Sequence, residues 1–283
     1  MTDTESADGE AADNQAADTE SADGEAADTG SADNEAMSDE FDTMAAWTAD
    51  AVAALGAQYA IPAACRGSGT PASLRWLAGR LGLRSGTRLL DCGAGMGGPA
   101  ELAARQFGVL PVLAEPMVSA CRASKRLFDR PVVVAAGERL PFADGVFDAV
   151  WSLGVLCTAP DQAGLLAELR RTARPGAPIG MLVYQRTVAE LPEQPEGNSF
   201  RSDDELVDLL AGAGLAVLER AELGDFAAPD EDWQAAADRV EEEVERRHGS
   251  DQRWQTARHQ EEIIGRLIGQ GLVAGRLFVL RAS

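Results

Sequence analysis

From Arg88 onward the chain alternates short apolar runs with stretches whose apolar residues recur every three or four positions. Arg88–Cys92, Leu110–Glu115, Pro131–Ala135, Val146–Ser152 and Ile179–Tyr184 read as strands, and helical spacing predicts helices over 98–107, 117–128 and 161–173. Alternation of this kind predicts a parallel sheet covered by helices on both faces. Further on, the pattern predicts a helix over 203–213, a strand over 215–223, helices over 232–247 and 251–269, and a last strand over 272–280. Upstream, Phe41, Met44, Trp47, Val52, Leu55 and Tyr59 fit one amphipathic helix, and Thr70-Pro71 supplies a cap and first residue for a helix reaching about Leu81. The expected fold is α/β, doubly wound, with a mainly parallel seven-stranded sheet and helical additions at both ends.

The first forty residues break the pattern. Thr4–Asp13 and Thr19–Asp28 both read TESADGEAAD, and Ala-Asp recurs every five residues, a period of neither helix nor strand. Fifteen acids and no base precede or include Asp42, and no aromatic precedes Phe41, so residues 1–40 are expected to be a disordered acidic tail. The tail carries most of the formal charge of −21. The remaining body, 41–283, is only mildly acidic and divides into an N-terminal helical lid (41–83), a core (86–224), a helical segment (225–270) and a closing strand (271–283). A body without a Lys/Arg run lacks the footprint of a nucleic-acid binder, and no apolar run is long enough for a membrane span. Cys65, Cys92, Cys121 and Cys157 are widely spaced, which suits buried thiols of a cytoplasmic protein and offers no metal site.

Candidate chemistry sits at the first strand-to-helix turn, Arg88-Leu-Leu-Asp-Cys-Gly-Ala-Gly-Met-Gly-Gly-Pro99. Gly93, Gly95 and Gly97 let backbone approach a ligand closely. Asp91, at the carboxyl end of the strand, repels a pyrophosphate and can receive an ammonium or an ordered water. Glu115 ends the second strand about twenty residues further on, where a carboxylate can take both hydroxyls of a ribose. The combination points to a cationic nucleoside ligand; a nicotinamide dinucleotide is the weaker rival.

A third element follows, Glu138-Arg-Leu-Pro-Phe-Ala-Asp-Gly-Val-Phe-Asp148-Ala-Val-Trp-Ser152, and then Leu169-Arg-Arg-Thr-Ala-Arg-Pro-Gly176. In this order the motifs resemble class I S-adenosylmethionine-dependent methyltransferases, particularly the bacterial small-molecule branch that includes ubiquinone/menaquinone-type enzymes. The resemblance covers roughly residues 70–224. It implies a Rossmann-like methyltransferase fold with S-adenosyl-L-methionine as cofactor, and a small-molecule methyl acceptor. It also implies that the loop from Asp91 through Gly93, Ala94 and Gly95 to Gly97 holds the methionine part, with Glu115 on the ribose. Pro116 and Met117 would lie against adenine, the Gly137–Glu138 backbone near its edge, and Ser152 near the amino group. Two departures stand out: Ala136 occupies the place where many relatives carry Asp, and Leu153–Ala159 lacks the histidine often found after the fourth strand.

Candidates for proton transfer are few. The chain's two histidines are His248, placed to cap a helix end, and His259, which could face inward with Ile263 and Leu267 or lie in solvent. Tyr184 ends the fifth strand at the ligand edge and is a pocket residue or a core residue. Arg66 could reach an anionic group or merely finish a loop. Methyl transfer needs alignment of donor and acceptor and exclusion of water more than it needs a base. Three functions follow: methylation of O, N or C of a small molecule, in keeping with a lysine-poor, arginine-rich bacterial composition and specialised metabolism; a non-methylating reaction, cyclisation or elimination, in the same cofactor site; or non-catalytic binding through the acidic tail.

Overall fold

The computed structural model describes residues 40–282; apart from Glu40, the acidic repeat lies outside the described residues. Glu40 opens α1 (40–55), which ends where Gly56 takes φ 127°, a conformation that favours glycine. The single helix expected over 41–59 is therefore cut short, and a 3-10 turn at Ala57–Tyr59 leads into α2 (Ala60–Ala64). The face that α1 buries is also finer than the pattern of large residues suggested. Ala45, Ala49, Ala51 and Val52 are buried whereas Phe41 is 48% exposed. α3 (Pro71–Arg80) starts as expected, with Thr70 and Ser73 forming a reciprocal capping box ahead of Pro71.

The sheet has seven strands in the order β3-β2-β1-β4-β5-β7-β6. Strands β1 (Arg88–Cys92), β2 (Leu110–Glu115), β3 (Val132–Val134), β4 (Ala149–Leu153) and β5 (Pro178–Arg186) run parallel. β7 (Val273–Ala282) inserts antiparallel between β5 and β6 (Leu215–Glu222). Helices α4 (Gly98–Phe107), α5 (Val118–Phe128), α6 (Gln162–Thr172) and α7 (Asp203–Gly212) fall within a residue of their predicted bounds. β4 starts three residues later than its apolar run, because Phe147 makes only an isolated bridge to Ala173.

Two apolar layers sandwich the sheet. One joins Leu90, Val150, Ile179 and Phe278 to the α6 face through Leu165, Leu166 and Leu169. The other joins Leu89, Trp151, Leu182 and Leu277 to α3 through Leu74, Leu77 and Leu81. The order of the strands reverses at β1, between β2 and β4, which is the position where ligands enter open α/β sheets, beyond the carboxyl ends of the strands.

A third cluster builds a cap beside that edge. Ala51 and Val52 of α1 and Ala60 and Ala63 of α2 pack with Val240 and Val244 of α8 (Glu231–His248) and with Trp254 of α9 (Gln252–Gly269). The Trp47 ring lies flat on His248, 4.0 Å between centroids and 3° between planes, with the Arg253 guanidinium 5.1 Å from its centre. His248 thus closes α8 and also carries a packing contact. None of the described helices is long and apolar enough to cross a membrane.

Candidate functional site

The loop after β1 is shaped by its glycines. Gly93, Gly95 and Gly97 take φ of 73°, 51° and 82°. A Cβ on Gly93 would stand 2.3 Å from Val155 Cγ2, and one on Gly97 2.6 Å from Leu113 Cδ2. At Gly95 the same atom would meet nothing within 4 Å, so the loop is tight on its inner side and open at its crest. Gly93 and Ala94 donate to the Ala114 carbonyl and tie the loop to β2.

Glu115 reaches back across the gap from the end of β2. It is 2% exposed, and its two oxygens accept from Gly95 N–H at 2.8 Å and Met117 N–H at 3.1 Å. Burial raises its pKa above the ordinary carboxylate range; the two backbone donors act the other way and nearby Asp42 adds to the rise.

Asp91 is the central feature. It lies on β1, opposite Leu113 of β2 and Trp151 of β4, and is 2% exposed. Its pKa is raised from 3.8 to about 7 by burial first; the Trp151 indole lowers it and Glu115 raises it further. Although the indole is near enough to act on Asp91, the pair does not reach hydrogen-bonding geometry, so Asp91 Oδ2 and Trp151 Nε1 both remain without a partner. The buried Ser152 hydroxyl, one residue on, is also unpaired. Buried polar groups are almost always satisfied. Asp91 Oδ2 and Trp151 Nε1 are neighbouring exceptions on one face of the sheet, while Ser152 Oγ lies on the other face and Ser124 Oγ on α5, which makes the Asp91 carboxylate a candidate for a ligand's cation.

The sequence-predicted positions gather around this loop to different degrees. Gly137 sits tightly against the first strand: a Cβ there would be 2.6 Å from Leu165 and 3.2 Å from Cys92 Sγ. Glu138 is half-buried and close enough to act on Cys92. Pro116 is exposed and Met117 half-buried at the start of α5. Ala136, which replaces the expected Asp, is exposed. Asp148 of the F-D-x-V motif is structural: it accepts from Arg88 N–H at 2.8 Å and pairs with Arg174, at the opposite edge of the sheet. Arg171 likewise braces the Leu140–Phe142 turn, donating to both of those carbonyls and pairing with Glu168.

The candidates for proton transfer do not converge. His259 is exposed on α9 and near enough to Glu193 to lower that acid's pKa, so the inward-facing alternative is corrected. The Tyr184 hydroxyl donates to the Gly67 carbonyl at 3.3 Å, and burial pushes its pKa up to about 12. Arg66 points to the cap, pairing with Glu241 and Glu261. Burial raises all four thiols, Cys157 to about 12, which leaves none activated.

Two participants escaped the sequence reading. Trp151 was hidden inside an apolar strand. Asp42 belongs to an acidic run with nothing to single it out, yet it accepts from Ser119 N–H, Ser119 Oγ and Ala120 N–H at the first turn of α5.

Residues 90–180 match the family model described as a methyltransferase domain. The chain is 30% identical over 179 residues to a sterol 24-C-methyltransferase of Schizosaccharomyces pombe, covering 56% of this chain and 47% of that one. It is 31% identical over 182 residues to 27-O-demethylrifamycin SV methyltransferase of Amycolatopsis mediterranei, covering 58% and 66%. The chain thus spans about half the length of the first of these relatives and less than two thirds of several others. In fold it is similar to the cyclase SpnF, with a TM-score of 0.60 at 20% identity over 75% of this chain and 80% of that one. It is also similar to the cyclopropane synthase MmaA2 of Mycobacterium tuberculosis, with a TM-score of 0.58 at 18% identity over 74% and 82%.

Proposed function

We propose, from the match of residues 90–180 to the methyltransferase-domain model, that the chain transfers a methyl group from S-adenosyl-L-methionine to O, N or C of a small organic molecule. The observation that carries this reading is the unpartnered carboxylate of Asp91 at the root of an open glycine loop, with Glu115 buried across from it. An ammonium completes the coordination that Asp91 lacks, and Glu115 can exchange its backbone donors for ribose hydroxyls. The sequence motifs assign Met117 and the Gly137–Glu138 backbone to the adenine and Ser152 to its amino group. The glycine loop fits the group because its crest is open where its inner side admits no side chain.

The bound cofactor supplies an activated methyl on a sulfonium. The chain has to hold that donor, align the acceptor and keep water out. Beyond β4 and β5, Cys157, Phe200, Ile263, Leu267 and Val273 are buried against one another and pack α9 onto the sheet. The relatives named above act on a sterol and a rifamycin by their names, in line with a small-molecule acceptor and, for the second, with bacterial specialised metabolism. Assignment to a ubiquinone/menaquinone-type branch rests on the sequence motifs.

A second reading, cyclisation or elimination in the same cofactor site, is favoured by one observation: neither histidine reaches the loop, and Tyr184 is committed to Gly67. Calorimetric titration with S-adenosylmethionine, S-adenosylhomocysteine and NAD, beside an Asp91→Ala/Glu115→Ala variant, tests the cofactor. Micromolar binding of the two sulfur compounds, lost in the variant, is expected. Silence for both would overturn the proposal. Release of S-adenosylhomocysteine in an acceptor screen separates methylation from the second reading.

A further inference from the structure

The first thirty described residues wrap the carboxyl edge of the sheet and touch three of its loops. The end of α2 lies on the first residue of α4: a Cβ on Gly98 would stand 2.4 Å from Ala64 C and 2.7 Å from Cys65 N. The loop that follows sits on the turn after β4, where a Cβ on Gly154 would be 2.9 Å from Gly67 O, the same carbonyl that Tyr184 holds. α1 itself is fixed to α5 through Asp42. Met117, at the start of α5, provides no side-chain cap. Asp42 substitutes from 77 residues away, taking Ser119 N–H and, at 2.8 Å, Ser119 Oγ with Oδ2, while Ala120 N–H lies 3.3 Å from Oδ1.

These contacts sit beside the turn that Glu115 organises. Glu115 takes the Met117 N–H and Asp42 the Ser119 and Ala120 N–H groups of the same helix start. An anion is welcome at a helix N-terminus, but it stands close enough to Glu115 to disfavour that second charge. The Asp42 contact therefore holds the first turn of α5 in place and raises the pKa of the carboxylate beside it. A second tie between α1 and α5, Asp50 to Arg126 at 2.6 Å, is exposed and lies at the far end of α5.

We propose that Asp42 is a cofactor-positioning residue, the latch by which the N-terminal helix closes over the nucleoside end of the site and slows its departure. The inference rests on the cofactor reading above. Docking of α1 and binding of the nucleoside order the same turn, so each favours the other to the same extent. Release of the spent cofactor then requires the Asp42–Ser119 contact to open.

The test uses the full chain with S-adenosylhomocysteine as probe, in wild type, Asp42→Ala, Asp42→Asn and Asp50→Ala. Asp42→Ala raises Kd about tenfold, equivalent to about 1.4 kcal/mol, chiefly through faster dissociation in stopped-flow displacement. Asp42→Asn, which keeps an acceptor oxygen but no charge, falls between. Asp50→Ala stays within twofold of wild type. Hydrogen exchange without ligand reads the latch separately: the Ser119 and Ala120 amides exchange faster in Asp42→Ala while the core strands keep their protection. Unchanged Kd and dissociation rate in Asp42→Ala would overturn the inference, as would an equal loss in Asp50→Ala, which would make Asp42 a general tether. Wild type that binds neither sulfur compound would overturn the cofactor reading, and the inference with it, whereas a wild type that binds and an Asp42→Ala that binds equally well removes the latch alone.

Discussion

Replacing Asp91 by Asn removes a charge from the middle of the sheet at nearly constant shape. The folded carboxyl titrates at about 7 instead of 3.8, because burial opposes ionisation. That difference corresponds to about 4 kcal/mol, at roughly 1.4 kcal/mol for each tenfold change in the equilibrium. Its sign follows from proton counting. Between about pH 4 and 7 the folded chain holds a proton that the unfolded chain has lost, so stability falls as pH rises through that window. Above pH 7 the full cost is present. Asn has no such cost. Urea unfolding of cofactor-free wild type and Asp91→Asn should therefore give free energies within about 1 kcal/mol of each other at pH 4.5. At pH 8 the variant should be more stable, by up to about 4 kcal/mol. S-adenosylmethionine should narrow the gap by stabilising wild type, since its ammonium neutralises Asp91, and should barely move the variant. A pH-independent gap, or a variant less stable than wild type at pH 8, would refute the reasoning. The buried carboxylate would then be satisfied within the protein and would not be waiting for a cation.

Three further substitutions probe the surroundings. Gly93→Ala brings a Cβ to 2.3 Å from Val155 at a φ of 73°; it should cost about 1–3 kcal/mol in denaturant unfolding and weaken cofactor binding, with Val155→Ala restoring part of both. Glu101, buried on α4, is shared by Arg105 and Arg130 at 2.7 Å each, so Glu101→Gln should lower the urea midpoint by about 1–2 kcal/mol equivalent with cofactor affinity within twofold. Tyr184→Phe removes only a 3.3 Å tether to Gly67, and a phenol held at about 12 is protonated at neutral pH; kcat should stay within about threefold and the pH–rate profile unchanged, a hundredfold fall marking Tyr184 as an acid–base group.

The parts of the site that one stretch of chain builds were legible in the sequence. Asp91, the three glycines and the start of α4 occupy a single strand-turn-helix unit, where residue types dictate backbone conformation directly. Glu115 was legible too, since parallel neighbours bring the ends of β1 and β2 side by side. What escaped depends on contacts between distant segments. Asp42 acts on Ser119 only because α1 packs over the sheet edge, and its neighbours in the acidic run look no different. Arg66 had two readings in the sequence; the positions of Glu241 and Glu261 on α8 and α9 decide between them. The early end of α1 turns on the single residue Gly56, which a run of well-spaced apolar side chains obscured.

The electrostatics of the loop also decide between nucleotide classes. A dinucleotide loop presents backbone N–H groups to a pyrophosphate. Here Gly93 and Ala94 donate to Ala114, and the Gly95 N–H faces the Glu115 carboxylate, which a pyrophosphate would have to displace. Beneath them lies Asp91, buried and unpaired, with Glu115 repelling it across the gap. A pyrophosphate would bring further negative charge to a place where two carboxylates already resist ionisation. A ligand carrying an ammonium and a sulfonium does the reverse, drawing both acids down toward their ordinary range as it binds. Binding should therefore release protons near pH 7, and titrations in buffers of different ionisation enthalpy should yield heats that differ in proportion. NAD, lacking the ammonium, should give neither the proton release nor the binding.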